Sequence, residues 1–236
     1  CWGYNMYGQS DVPANLVNPV AVSAGYGLTC ALDDNGVHCW GRNDYGQADV
    51  PTDLVNPVAV SAGMSHTCAI DDNGVQCWGK NDNGESDVPT DLVNPVAVST
   101  GKYHTCAIDD NGVHCWGYNS YGQSDVPTDL VNPVAVTATS NHTCALDDNG
   151  VHCWGRNDGG KTDVPTGLVN PVAVTTGNGG SFAASVSHTC ALDDNGVHCW
   201  GDNRYNQTNV PMSLMFDPDG DGVSGEDWFN GVDDDM

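Results

Sequence analysis

An all-β repeat fold is predicted for this 236-residue chain by three observations. The tripeptide Cys-Trp-Gly recurs at Cys1, Cys39, Cys77, Cys115, Cys153 and Cys199, stepping by 38 residues four times and then by 46. Between the copies, short β-branched runs alternate with turn signals. No stretch carries a useful 3.6-residue apolar period.

One unit, from Leu54 to Gly79, shows each element in turn. Val58-Ala59-Val60, led by Pro57, reads as a buried strand that starts after a turn. His66 to Ile70 and Val75 to Trp78 read as two further strands. They are joined by Asp71-Asp72-Asn73-Gly74, a tight-turn signal in which Asn or Gly takes positive φ. Along this hairpin Cys68, Ile70, Val75 and Cys77 are expected on one face, with His66 and Trp78 directed elsewhere. The expectation is three or four strands per unit, in a ring or a solenoid.

Ten of the eleven cysteines fall into pairs with eight residues between: Cys30/Cys39, Cys68/Cys77, Cys106/Cys115, Cys144/Cys153 and Cys190/Cys199. Zinc sites and thioredoxin-like motifs use shorter spacings, so disulfides are the reading, and they place the chain in an extracellular or cell-surface setting. There is no run of eighteen apolar residues, so no membrane insertion is expected. The sequence opens inside a unit at Cys1-Trp2-Gly3, which reads as a processed or truncated end. Six Lys plus Arg against thirty-one Asp plus Glu give a formal net charge of -25, which excludes nucleic acid and anionic lipid as partners.

His142-Thr143-Cys144-Ala145-Leu146, Asp148-Asn149-Gly150, Cys115-Trp116-Gly117-Tyr118-Asn119 and Tyr121-Gly122-Gln123, with their copies, resemble repeats of the regulator-of-chromosome-condensation (RCC1-like) family. The likeness is strongest to its disulfide-containing extracellular branch. It implies an all-β propeller, commonly of seven blades, over residues 1–211, followed by an acidic tail at 212–236. This chain holds five full repeats, with one disulfide per blade, and an amino-terminal half repeat. Either upstream residues or a neighbouring molecule would complete the ring, and the former is favoured because Cys1 lacks the partner its repeat would supply. The exchange activity of the nuclear family member is not carried over.

The candidate sites follow from the repeat. His66, His104, His142 and His188 precede Thr-Cys, and His38, His114, His152 and His198 precede Cys-Trp. Rotation about a ring separates such copies, so packing roles are expected in place of metal ligation. Trp2, Trp40, Trp78, Trp116, Trp154 and Trp200 are expected between blades, each indole N–H seeking a carbonyl. After each Trp-Gly comes a variable tip that gathers all the arginines and most tyrosines, Tyr45 and Tyr121 among them, as a loop-borne recognition face would. The last repeat carries eight extra residues within Thr175 to Ser187, where Phe182 is a contact candidate.

In the tail, Asp217, Asp219, Asp221, the Val223 carbonyl, Glu226 and Asp227 form an EF-hand-like set of oxygen donors for Ca2+. It is similar to thrombospondin type 3 segments, and it departs at loop position twelve, where Trp228 stands. Asn141 and Asn206 lie in glycosylation sequons. No catalytic constellation converges, so the expected function is not enzymatic. It is an extracellular structural or adhesive module presenting a protein-binding surface, a subunit of a larger cell-surface or filamentous assembly. The alternatives are a specific inhibitor- or receptor-like propeller and, third, a carbohydrate-active enzyme. The expected partners are a protein or further copies of the chain, with a glycan as another candidate.

Overall fold

The computed structural model describes residues 1–178 and 187–211. Five antiparallel three-stranded sheets, one per unit, follow in chain order. They are β1 (Ala21–Ala24), β2 (Leu28–Asp33) and β3 (Gly36–Gly41); β4 (Ala59–Ala62), β5 (His66–Asp71) and β6 (Gly74–Gly79); β7 (Ala97–Thr100), β8 (His104–Asp109) and β9 (Gly112–Gly117); β10 (Ala135–Ala138), β11 (His142–Asp147) and β12 (Gly150–Gly155); and β13 (Ala173–Asn178), β14 (Ser187–Asp193) and β15 (Gly196–Gly201).

The hairpin register comes from the turn. Asp71 pairs with Gly74, Asp71 Oδ1 accepts from Asn73 N at 2.8 Å, and Gly74 holds φ +114°. Cys68 then lies opposite Cys77, with Cα atoms 4.1 Å apart, and the two are bonded. All five expected pairs form in this way.

Each sheet has two packing faces. His66, Cys68, Ile70, Val75 and Cys77 share one face, so the expectation that His66 points elsewhere is corrected: residues two apart on a strand share a side. This face meets the next sheet in sequence. Thr67, Ala69 and Trp78 form the other face, and Ala69 and Trp78 pack on Leu32 and Val37 of the sheet before. Five of the six repeat tryptophans find a carbonyl, as expected: Trp40, Trp78, Trp116, Trp154 and Trp200 donate to the main-chain oxygens of Gln9, Gln47, Glu85, Gln123 and Lys161 at 3.0–3.1 Å, whereas Trp2, expected between blades with the others, is exposed.

Ala24, Ala62, Thr100, Ala138 and Thr176, one from each innermost strand, line a single cavity of about 860 Å³. The sheets are therefore blades about one axis. Adjacent turns at the axis join through main-chain bonds, Met64 N to Gly101 O at 3.4 Å and Lys102 N to Thr139 O at 3.0 Å. The approach demands glycine: a Cβ on Gly63 would come within 2.8 Å of Gly101 O.

The two ends of the ring differ. Tips and inner turns share one end, tied by bonds such as Lys80 N to Ser65 O at 2.9 Å. The Asp-Asn turns share the other, where Asp71 Oδ2 accepts from Val55 N at 2.8 Å and Asp72 Oδ2 from Asn56 Nδ2 at 2.6 Å. Phe182 and the calcium-like set from Asp217 to Asp227 lie outside the described residues.

Candidate functional site: a rim of tyrosines and cations

All eight tyrosines and all six Lys and Arg of the chain fall in the tips or in the facing inner turns, at one end of the ring. Each tip is braced by its own Asn. In the second, Asn43 Nδ2 donates to Asp49 Oδ1 at 2.7 Å and Asn43 Oδ1 accepts from Ala48 N at 2.8 Å, while Gln47 Oε1 accepts from Tyr45 N at 2.8 Å. This bracing frees the other tip side chains to form an outer surface.

Those side chains interleave. The Arg42 guanidinium lies 5.8 Å from the ring centres of Tyr7, Tyr26 and Tyr45. Lys80 Nζ sits 5.0 Å from Tyr45 and 5.5 Å from Tyr103, and Lys102 Nζ sits 4.9 Å from Tyr103. Tyr103, Tyr118 and Tyr121 make edge contacts at 6.0 and 6.2 Å, and Arg156 lies 4.8 Å from Tyr121. One continuous arc thus crosses four blades. Arg42, Lys80 and Arg156 also pair with Asp44, Asp82 and Asp158. The hydrogen bond to Asp82 holds the Lys80 ammonium above its ordinary pKa, with help from Tyr45 and Tyr103. Lys102 belongs to none of the ion pairs formed among the described residues, and with Met64, Tyr4, Tyr7 and Tyr26 it lines the axial cavity.

Sequence reading found the tips and missed the inner-turn members Tyr26, Met64, Lys102 and Tyr103. The signal was available: each stands one or two residues after the glycine before its Thr-Cys strand, at the hairpin end that topology sets beside the tips.

The histidines take packing roles. His66, His104 and His142 are fully buried, and each lies 2.8–3.1 Å from a threonine hydroxyl of the next blade. Each such threonine donates its hydroxyl proton to a main-chain carbonyl, so the imidazole Nε2 is the protonated nitrogen. Burial pushes the pKa of His66 down to about 4 and those of His104 and His142 to about 3. His38, His114, His152 and His198 bond the Asp of their own turn at 2.9–3.0 Å, and Gln76 makes the same bond at 2.8 Å. Among the described residues no three His, Cys, Asp or Glu side chains converge as a metal site. Asn141 is buried in the turn before β11, so the folded blade leaves a glycan no room there, whereas Asn206 is exposed.

The family model for the regulator of chromosome condensation (RCC1) repeat matches residues 20–47, 58–85, 96–123, 134–161 and 181–207, together more than half of the chain. Among curated proteins none matches. The ectodomain of the Physcomitrella patens receptor kinase CR4 is similar, with 27% identity and a TM-score of 0.64 over 83% of this chain and 55% of that one. The CRINKLY WD40 ectodomain of the Arabidopsis thaliana receptor kinase ACR4 shows 24% identity and a TM-score of 0.66 over 85% and 74%. Yeast RCC1 bound to Kap60 shows 20% identity and a TM-score of 0.64 over 84% and 59%. This chain therefore spans little more than half of the moss ectodomain.

Proposed function

Because the chain belongs to the RCC1 repeat family, we propose that it is an extracellular protein-binding propeller that meets its partner with the tyrosine and cation rim. The carrying observation is the confinement of every tyrosine and every cation to one end of a molecule whose formal net charge is -25. Tyrosine supplies large contact area at low entropic cost, and rings that flank a cation hold it in place before a partner arrives. The axial cavity beside Lys102 accepts a protruding segment of that partner. Five disulfides support the extracellular setting, as does likeness to receptor-kinase ectodomains. Yeast RCC1 was solved bound to a protein, Kap60, and it is that mode of use, and not that partner, which is proposed for this chain. The loop from Asp217 to Asp227 completes the proposal as a calcium site at the carboxyl end, supported by its alternating Asp and Gly.

The test compares a rim variant, Tyr45→Ser with Tyr121→Ser and Lys102→Glu, against Asp110→Asn with Asp148→Asn at the opposite end. Chemical cross-linking on the native cell surface should yield one stoichiometric complex with the wild type and the opposite-end variant, weakened at least tenfold by the rim variant. Equal recovery with the rim variant would overturn the assignment.

A further inference from the structure

The six cations of the chain differ in what they meet. Arg42, Lys80, Arg156 and Arg204 pair with Asp44, Asp82, Asp158 and Asp202. Lys161 is fully buried and donates to the Asp158 carbonyl at 3.1 Å. Lys102 stands on the inner turn of the third blade, half-buried, and takes part in none of the ion pairs formed among the described residues. Its Nζ lies 4.9 Å from the Tyr103 ring centre. An aromatic face steadies an ammonium without neutralising it, so the charge stays available to a ligand.

The axial cavity that Lys102 lines is unlike the rest of the molecule. The chain carries thirty-one Asp plus Glu, yet no carboxylate residue is among those that line the cavity. Met64, Thr100, Thr139 and Thr176, on blades two to five, line it together with Lys102. The repeat itself explains the exclusion. Innermost strands read Ala-Val-Ser-Ala, Ala-Val-Ser-Thr or Ala-Val-Thr-Ala, small and uncharged. The aspartates fall in the hairpin turns at the far end, or in the tips, where Asp49, Asp87, Asp125 and Asp163 each accept from their own tip Asn at 2.6–2.7 Å. Lys102 N donates to Thr139 O at 3.0 Å, which fixes the lysine's turn against the next wall of the cavity. A concave surface with one sign of charge concentrates its potential on whatever enters.

We infer that the axial cavity takes an acidic side chain, Asp or Glu, on a protruding segment of the protein partner, and that Lys102 is its ion-pair partner. This rests on the rim reading above and adds the chemistry of the segment. The carboxylate accepts a charge-assisted hydrogen bond from Lys102 Nζ, while Met64 and Tyr26 offer apolar surface to the flanking residues. The formal net charge of -25 works against such a ligand at long range. At physiological salt that repulsion is screened over about 8 Å, so the pairing inside the cavity decides. The molecule as a whole and the cavity therefore select opposite ligands: bulk charge favours a basic segment, and Lys102 in a wall without carboxylates favours an acidic one.

The test selects a random peptide library, displayed on phage, against the immobilised 236-residue protein at physiological salt. The expected winners are enriched in Asp or Glu. Synthesised and titrated by fluorescence anisotropy, they should bind Lys102→Met at least tenfold more weakly and Lys102→Arg within severalfold of the wild type. Selection against Lys102→Glu should turn to peptides rich in Lys or Arg, which also shows that the variant is folded. Basic or neutral winners with the wild type, an empty selection, or acidic winners whose affinity survives Lys102→Met would overturn the inference. Tyr45→Ser with Tyr121→Ser, which keeps Lys102, separates the two readings. Winners without acidic residues that are lost with this variant leave the rim reading standing and remove the acidic segment, whereas winners indifferent to it and to Lys102→Met count against both.

Discussion

Lowering the pH from 6.5 toward 4 should weaken the fold through three histidines. His66, His104 and His142 are buried with Nε2–H committed to a threonine, and Nδ1 of each has no hydrogen-bond partner. A second proton would place an uncompensated cation in the interior, so each group is held neutral, His66 down to about 4 and the others to about 3. The unfolded chain binds those protons near pH 6.5, so below that value it holds more protons than the native state, and stability falls as pH falls. With each histidine contributing about 1.4 kcal/mol per pH unit, the three together give a slope of about 4 kcal/mol per unit between pH 6 and 5. By pH 4 the sum is on the order of 10 kcal/mol, comparable to the whole stability of a domain. Urea unfolding followed by tryptophan fluorescence at pH 7, 6 and 5, with disulfides intact, measures the slope. Gln at all three positions keeps a donor and cannot take the proton, so H66Q/H104Q/H142Q should flatten it. The reasoning fails if the triple variant keeps the wild-type slope, or if imidazole resonances of the folded protein titrate near pH 6.5. The turn aspartates act in another window. Asp33 is held below its usual pKa, chiefly by the Val17 N–H, so its contribution is present above pH 3.8 and lost only as pH drops further.

Removing one central clasp with Cys106→Ala and Cys115→Ala should lower stability by about 2–3 kcal/mol, the loop-closure entropy of a short ring, and an unchanged urea midpoint would deny that role. Gly63→Ala should lower the melting temperature by several degrees because its Cβ meets the Gly101 carbonyl, whereas Gly167→Ala, with open space around it, should be neutral. Trp116→Phe leaves the Glu85 carbonyl its Thr105 donor and should cost about 1 kcal/mol beyond the change in volume. Thr105→Val strips a partner from both that carbonyl and His66, and should cost about 1–3 kcal/mol; an unchanged urea midpoint would contradict the network. Calorimetry with calcium should show one site in the full chain that disappears in Asp219→Ala with Asp221→Ala, and persistent binding would remove the tail from consideration.

The blade was legible because its determinants are local. The Asp-Asp-Asn-Gly turn sets the hairpin register, and that register places Cys68 opposite Cys77. What escaped was the pairing of faces. His66 was assigned away from Cys68 and Ile70 although strand alternation puts all three together, and the partner of its Nε2, Thr105, lies 39 residues on. The rim was half legible for a similar reason. Tips follow an obvious Trp-Gly marker, while Tyr26, Lys102 and Tyr103 join them only because the first turn of each blade lies at the same end.

Repetition also explains where differences can gather. The position held by Gln47, Glu85, Gln123 and Lys161 is fully buried in these four units, yet the side chain that fills it varies from amide to carboxylate to ammonium. The structural duty there belongs to the main-chain carbonyl, which any residue supplies, so the side chain is constrained only by its own tip. Gln47 and Glu85 cap the N–H two residues before them, whereas Lys161 follows Gly159 and Gly160, both at positive φ, and turns its ammonium to the Asp158 carbonyl at 3.1 Å. The same change removes a tyrosine, because Gly159 stands where Tyr7, Tyr45 and Tyr121 stand in their tips. The arc of rings therefore ends at Arg156 over Tyr121. A partner that reads the rings should centre on the first three blades, and Lys80, held between Tyr45 and Tyr103, lies near the middle of that footprint.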